Sequence, residues 1–165
     1  MVNVTIREML EAGTHFGHIT GRWNPKMKKY IFGNRNGIHI LDLRQSVKLF
    51  RTALNFVQDA AQRGEKILFV GTKKQFQGVI EEEAKNCRMH FVTHRWLGGM
   101  LTNFSTIRKS VERMKKMEQR MADGLMGTLK KKELLKISRD IGKLKKFLHG
   151  VEEMTHLPGA IVVVD

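Results

Sequence analysis

Val70-Gly71-Thr72-Lys73-Lys74 stands where a phosphate-binding loop would stand, after an apolar run and before a helix-forming stretch. Backbone N–H groups close around phosphate when several glycines let the chain curl, as in Gly-x-x-x-x-Gly-Lys-Ser/Thr or Gly-x-Gly-x-x-Gly. Gly71 is alone, so the segment reads as a basic turn, with Lys73 and Lys74 able to touch an RNA phosphate. His15 and His18 lie three residues apart, but two imidazoles do not complete a metal site, and the Glu of His-Glu-x-x-His is missing. No metal is expected. Consecutive Glu81, Glu82 and Glu83 point around a helix instead of converging on a substrate. Cys87, the single cysteine, reads as a structural thiol, and it excludes a disulfide framework and a thiolate zinc cluster. No catalytic constellation assembles from these residues, so neither an enzyme nor a cofactor is expected.

His94-Arg95-Trp96-Leu97-Gly98-Gly99-Met100-Leu101-Thr102-Asn103 is the most distinctive segment. A cation, an indole, two glycines and a helix-capping residue suit contact with a phosphate backbone and an unstacked base. The same residues suit a Trp packed beneath a loop with Arg95 stacked on it, and composition does not choose between the two. A second basic group, Arg22, Lys26, Lys28 and Lys29, surrounds Trp23 in a stretch broken by Gly21 and Pro25. Arg35, Lys73, Lys74, His94, Arg95, Trp96, Asn103, Arg108 and Lys109 complete the candidate RNA-binding set.

Charge over the whole chain agrees. Its 165 residues carry 30 Lys plus Arg against 16 Asp plus Glu, a net +14. With 41% hydrophobic residues and 2 Pro the chain is a folding one, and its charge excess points to a polyanion. Residues 101–150 hold 14 basic against 5 acidic residues, the largest local surplus. Within them Lys130-Lys131-Lys132, Lys143, Lys145 and Lys146 suit either the solvated side of a coiled coil or an RNA-facing helix surface. No 18 apolar residues run uninterrupted and residues 1–10 lack a signal-peptide core, so a cytoplasmic protein is expected.

These residues need elements to hold them. Thr5-Ile6-Arg7-Glu8 is a capping-box pattern opening a short helix closed at Gly13. Residues 15–29 read as irregular, and 30–32 and 38–41 as a hairpin around a five-residue turn, 33–37. Asp42-Leu43-Arg44-Gln45 is a second capping box; Leu43, Val47, Phe50, Leu54, Val57 and Ala61 then form one buried helical stripe ending at Gly64. Residues 66–70, 89–92 and 160–164 read as strands, with a helix over 75–86, which predicts a parallel sheet covered by helices on both faces. Phe104, Ile107, Val111, Met114 and Met121 follow a three-four stripe broken by Glu118 with Met117 beside it, and Leu134, Ile137, Ile141, Leu144, Leu148 and Val151 hold the stripe without a break. Two such seams joined by Asp123-Gly124-Leu125-Met126-Gly127 predict an antiparallel helical hairpin, each arm about 30 Å long.

Several segments together resemble one family. Gly13-Thr14-His15-Phe16-Gly17-His18, Trp23-Asn24-Pro25-Lys26-Met27, Tyr30-Ile31-Phe32-Gly33, Gly37-Ile38-His39-Ile40-Leu41-Asp42-Leu43, Phe69-Val70-Gly71-Thr72-Lys73-Lys74 and Arg95-Trp96-Leu97-Gly98-Gly99-Met100-Leu101-Thr102-Asn103 look like the bacterial form of the second protein of the small ribosomal subunit. The resemblance implies a flavodoxin-like three-layer α/β domain, 1–102 and 152–165, with an inserted coiled-coil hairpin, 103–151. It implies a non-catalytic role where head meets body, bound to 16S ribosomal RNA and to other small-subunit proteins. Among these is the large messenger-binding protein of OB-fold repeats. Family members usually continue past Val164, so the sheet is expected to be incomplete here. A coiled-coil protein-docking adaptor and a nucleotide-binding enzyme are the alternative readings. The missing phosphate-loop glycines weigh against the enzyme, and the spread of basic loops weighs against the adaptor.

Overall fold

A computed structural model describes residues 4–123 and 131–164, so Gly124, Leu125, Met126 and Gly127 of the expected hairpin turn lie outside the described residues. The chain divides into two compact units, Met1–Asp59 and Ala60–Asp165.

In the first unit the Thr5 hydroxyl accepts from the Glu8 N–H at 3.2 Å and the Glu8 carboxylate accepts from the Thr5 N–H at 2.7 Å. This reciprocal box opens helix α1, Ile6–Glu11. Strands β1 (Phe16–Ile19), β2 (Ile31–Arg35) and β3 (Ile38–Leu41) form an antiparallel sheet in the order β1-β3-β2. The hairpin turn is shorter than expected: β2 continues through Arg35, and Asn36 and Gly37, at φ 51° and 75°, turn the chain alone. Two positive φ angles make the turn whose twist matches paired strands, and Asn-Gly is the pair that adopts it. Strand β1 falls in the stretch read as irregular, because Phe-Gly-His-Ile carries no strand signal until β3 supplies its hydrogen bonds.

Helix α2, Leu43–Gln62, begins on a variant of the expected box. The Asp42 carboxylate accepts from the Arg44 N–H at 3.0 Å. The Asp42 N–H already donates to the Tyr30 carbonyl, so the Gln45 amide turns to the Lys29 carbonyl and the Asp42 carboxylate instead. Leu43 and Val47 of the predicted stripe are buried, but Phe50 and Ala61 are exposed.

In the second unit β4 (Ile67–Val70), β5 (His90–Val92) and β6 (Ala160–Val163) form a parallel sheet in the order β5-β4-β6. Alternation along β4 divides its side chains. Leu68 and Val70 join Val92 in a cluster with Met100, Ile107, Val111, Met114, Leu148, Val151 and Met154, while Phe69 joins Ile80, Ala84 and Phe91. Helix α3, Lys74–Asn86, therefore covers one face, and α4 (Phe104–Ala122) and α5 (Lys131–Leu148) cover the other. The chain is thus mixed α/β with a parallel sheet, and the inner ends of α4 and α5 share the core of the sheet.

His90 is 9% exposed at the start of β5. Burial, then the nearby Lys66 charge, push its pKa below the usual histidine range, against an opposing pull from Glu153. A group neutral in the folded state and protonated in the unfolded one stabilises above its unfolded pKa, about 6.5, and loses that contribution as pH falls through its folded value. Thermal stability should therefore fall on acidification from about pH 7 to 5, and His90→Gln should flatten that limb. An unchanged slope in the variant would assign the loss elsewhere.

Candidate nucleic-acid interface

Parallel strands send their following loops to one edge, so the turn after β4 and the loop after β5 leave the sheet on the same side. Lys73 and Lys74 are exposed there, together with Arg95 and Trp96, and His94 is half-buried with its Nδ1 3.2 Å from the Thr93 hydroxyl. Trp96 is 38% exposed, and no described ring or cation stacks on it, Arg95 included. Met100 of the same loop, fully buried, and half-buried Leu97 hold the loop to the core, leaving its polar residues outward. Asn103 is exposed at the start of α4, and its side chain accepts from the Thr106 hydroxyl at 2.8 Å instead of capping the helix backbone.

Gly71 has a packing reason. A Cβ there would lie 2.8 Å from the Ile80 side chain and 3.4 Å from the Val164 carbonyl, so its bareness lets α3 and the end of β6 close on β4. A cavity of about 450 Å³ lined by Lys66, His90 and Glu153 opens at the opposite, amino edge of the sheet, whereas open α/β sheets carry ligands at the carboxyl edge.

Arg108 and Lys109 part company. The Arg108 guanidinium donates to the carbonyls of Glu152 and Met154 at 3.2 and 3.1 Å, tying the chain after α5 to α4, while Lys109 is exposed.

In the first unit the 3-10 helix Pro25–Tyr30 is set by Asn24, whose side chain accepts from the Lys26 N–H at 3.0 Å, and by Pro25, whose fixed φ suits a first helical position. It displays Lys26, Lys28 and Lys29 to solvent, with Arg22 exposed before it. The Lys29 ammonium lies 4.8 Å from the Tyr30 ring centre. Arg35 is exposed at the end of β2. Trp23 is half-buried, its ring centre 4.8 Å from that of His39, and both line a cavity of about 280 Å³. His39 was not among the expected site residues. Both its ring nitrogens are buried without a hydrogen-bond partner among the described residues, and an isolated His in an apolar strand gives no sequence signal of this.

Three carboxylates of the second unit pair with basic side chains. Glu118 meets Lys145 at 3.0 Å, Glu153 meets Lys115 at 2.6 Å, and Glu81 meets Lys85 at 2.6 Å and His149 at 3.3 Å. Hydrogen bonding from Lys85 holds the Glu81 carboxyl below the usual carboxylate range, and Lys115 does the same for Glu153. No group of three or more metal-ligating side chains assembles among the described residues, and no described helix is long and apolar enough to cross a membrane.

The family model described as Ribosomal protein S2 matches residues 9–165. Over all 165 residues the chain is 56% identical to "Small ribosomal subunit protein uS2" of Geotalea uraniireducens (strain Rf4), covering 64% of that relative. It is 50% identical over the same residues to the protein of that name from Koribacter versatilis (strain Ellin345), covering 55% of it. The chain thus spans less than two thirds of the length of these curated relatives. A matched model across nearly the whole chain and two such relatives carry one conclusion: the chain belongs to the ribosomal protein S2 family.

Proposed function

We propose that this chain is a structural, non-catalytic constituent of the small ribosomal subunit, in the cytoplasm, that binds 16S ribosomal RNA. The observation that carries the reading is the set of exposed cations on two structured loops, Lys73, Lys74 and Arg95 at one sheet edge and Arg22, Lys26 and Lys28 around Trp23. Cations on ordered backbone fix register on phosphates, and exposed Trp96 offers a face to an unstacked base. In this reading the α/β part, 1–102 and 152–165, is flavodoxin-like and three-layered. Residues 103–151 form an inserted antiparallel coiled-coil arm. The protein sits near the head–body junction and supports docking of the large OB-repeat messenger-binding protein beside other small-subunit proteins. The antiparallel arm draws support from the order of two ion pairs: Lys115 meets Glu153, and Glu118, later on α4, meets Lys145, earlier in the chain than Glu153.

Sedimentation of the native protein tests the reading: co-migration with the small subunit is expected, and a free, soluble pool alone would refute it. Calorimetry with ATP or GTP should show no stoichiometric tight binding, since Gly71 serves packing and no second glycine curls the turn around phosphate. Saturable nucleotide binding would favour the enzyme reading.

A further inference from the structure

The cavity of about 450 Å³ at the amino edge of the parallel sheet takes no part in the loop interface. His90, the first residue of β5, shares the sheet face of Leu68 and Val92, is nine-tenths buried, and lines this cavity. Its ring has no hydrogen bond or ion pair among the described residues. Burying an imidazole is costly unless a partner meets it, so a ring that faces a cavity is placed to be met from outside the chain. Lys66 and His156, both exposed, line the same cavity. The Lys66 ammonium donates to the Arg88 carbonyl at 3.3 Å and pairs with no acid, and His156 pairs with none either. The two carboxylates on the wall are engaged elsewhere, Glu65 with Arg63 at 2.8 Å and Glu153 with Lys115 at 2.6 Å. Three basic groups therefore line one cavity with no carboxylate of their own.

Backbone contacts fix the walls. The Gly159 N–H donates to the Lys66 carbonyl at 2.9 Å, and a Cβ on Gly159 would lie 2.7 Å from that of Glu65, so this glycine lets the loop before β6 close on the loop before β4. A preformed cavity spares its occupant the entropy of ordering the walls. Leu157, 56% exposed, lines it as well. Basic groups beside an exposed apolar side chain fit a carboxylate carried on a peptide, one charge among amides and apolar groups. A phosphate chain fits less well, because it bears a charge at every nucleotide and its neighbouring phosphates would meet Glu65 and Glu153. The candidate RNA-binding loops, moreover, leave the opposite edge of the sheet. We propose that the amino-edge cavity is a docking site for an acidic segment of a protein partner, with a Glu or Asp carboxylate seated among Lys66, His90 and His156. This docking does not depend on the RNA-binding reading.

Seating is linked to a proton. The groups facing His90 are Glu65 and Lys66 from the loop before β4, and Glu153 and His156 from the loop before β6, with Lys115 of α4 behind Glu153. Burial, then Lys66, favour the neutral ring, and a carboxylate beside it opposes both and draws a proton on. Binding should therefore tighten as pH falls.

The test titrates the full chain with a labelled, end-capped peptide of alternating leucine and glutamate, and with its glutamine counterpart. The glutamate peptide should bind saturably and about tenfold more tightly than the glutamine peptide, and about tenfold more tightly near pH 5.5 than near pH 7.5. Proton NMR of the imidazole C–H resonances should show the His90 titration moved to higher pH by the glutamate peptide alone. Lys66→Gln, at an exposed position, should weaken binding about tenfold. His90→Gln should flatten the pH response; if that variant does not fold, Lys66→Gln and the wild-type NMR titration decide. Equal binding of the two peptides, or a His90 resonance unmoved by saturating glutamate peptide, overturns the proposal. Inorganic phosphate or a short single-stranded RNA that moves the His90 resonance where the peptide does not would assign the cavity to phosphate and overturn it too.

Discussion

Binding to structured ribosomal RNA should weaken steeply as salt is raised. Each phosphate neutralised by Lys or Arg releases condensed counterions, so log affinity falls linearly with log salt. On the RNA-binding reading the contributing groups include Lys26 and Lys28 of the 3-10 helix and Lys73, Lys74 and Arg95 of the edge loops. With about four to eight simultaneous contacts the slope should lie near −3 to −7, and a fourfold rise in salt should cost roughly 60-fold to 16,000-fold in affinity. Filter binding or anisotropy across the salt series measures this. A flat response would remove phosphate contact as the main source of affinity.

Two aspartates placed in the arm should have unlike consequences. Met114 is fully buried in the cluster that includes Leu68, Val70 and Val92 of the sheet. Met114→Asp removes that packing and buries a charge without a partner, a combination expected to cost about 4 kcal/mol or more of the roughly 5 to 15 that hold a domain. Hydrogen exchange should then show protection lost in β4 as well as in α4. Ile141 is also buried, at 8% exposure, but lies outside the cluster shared with the sheet. Ile141→Asp should open the outer arm, stripping protection from the middle of α5 and the later part of α4, and leave β4 protected. If Ile141→Asp exposes β4 equally, the outer arm and the sheet open as one unit. If Met114→Asp spares β4, the shared core does not couple them.

Local signals were legible wherever one segment carries its own instructions. The Thr5–Glu8 box, the apolar run Ile67–Val70, and the three-four seams of α4 and α5 each depend on residues within a few positions of one another. Exposure of the loop cations was legible too, because charged side chains are rarely buried without partners. Arg108 is the instructive exception. Its type and place resemble those of Lys109, yet two carbonyls more than 40 residues away occupy its guanidinium.

Composition, spacing and capping residues were enough to specify mixed α/β elements, exposed loop cations and the absence of a complete phosphate loop, since these follow from short-range sterics, periodicity and charge. Contacts between distant segments decided the rest. Strand β1 exists because β3 pairs with it, Gly71 is bare because Ile80 and Val164 press against it, and α4 and α5 enter the sheet's core because Met114 and Leu148 meet Val70 and Val92 there. Such contacts join residues tens of positions apart, and their energies depend on shape and burial that no local window contains.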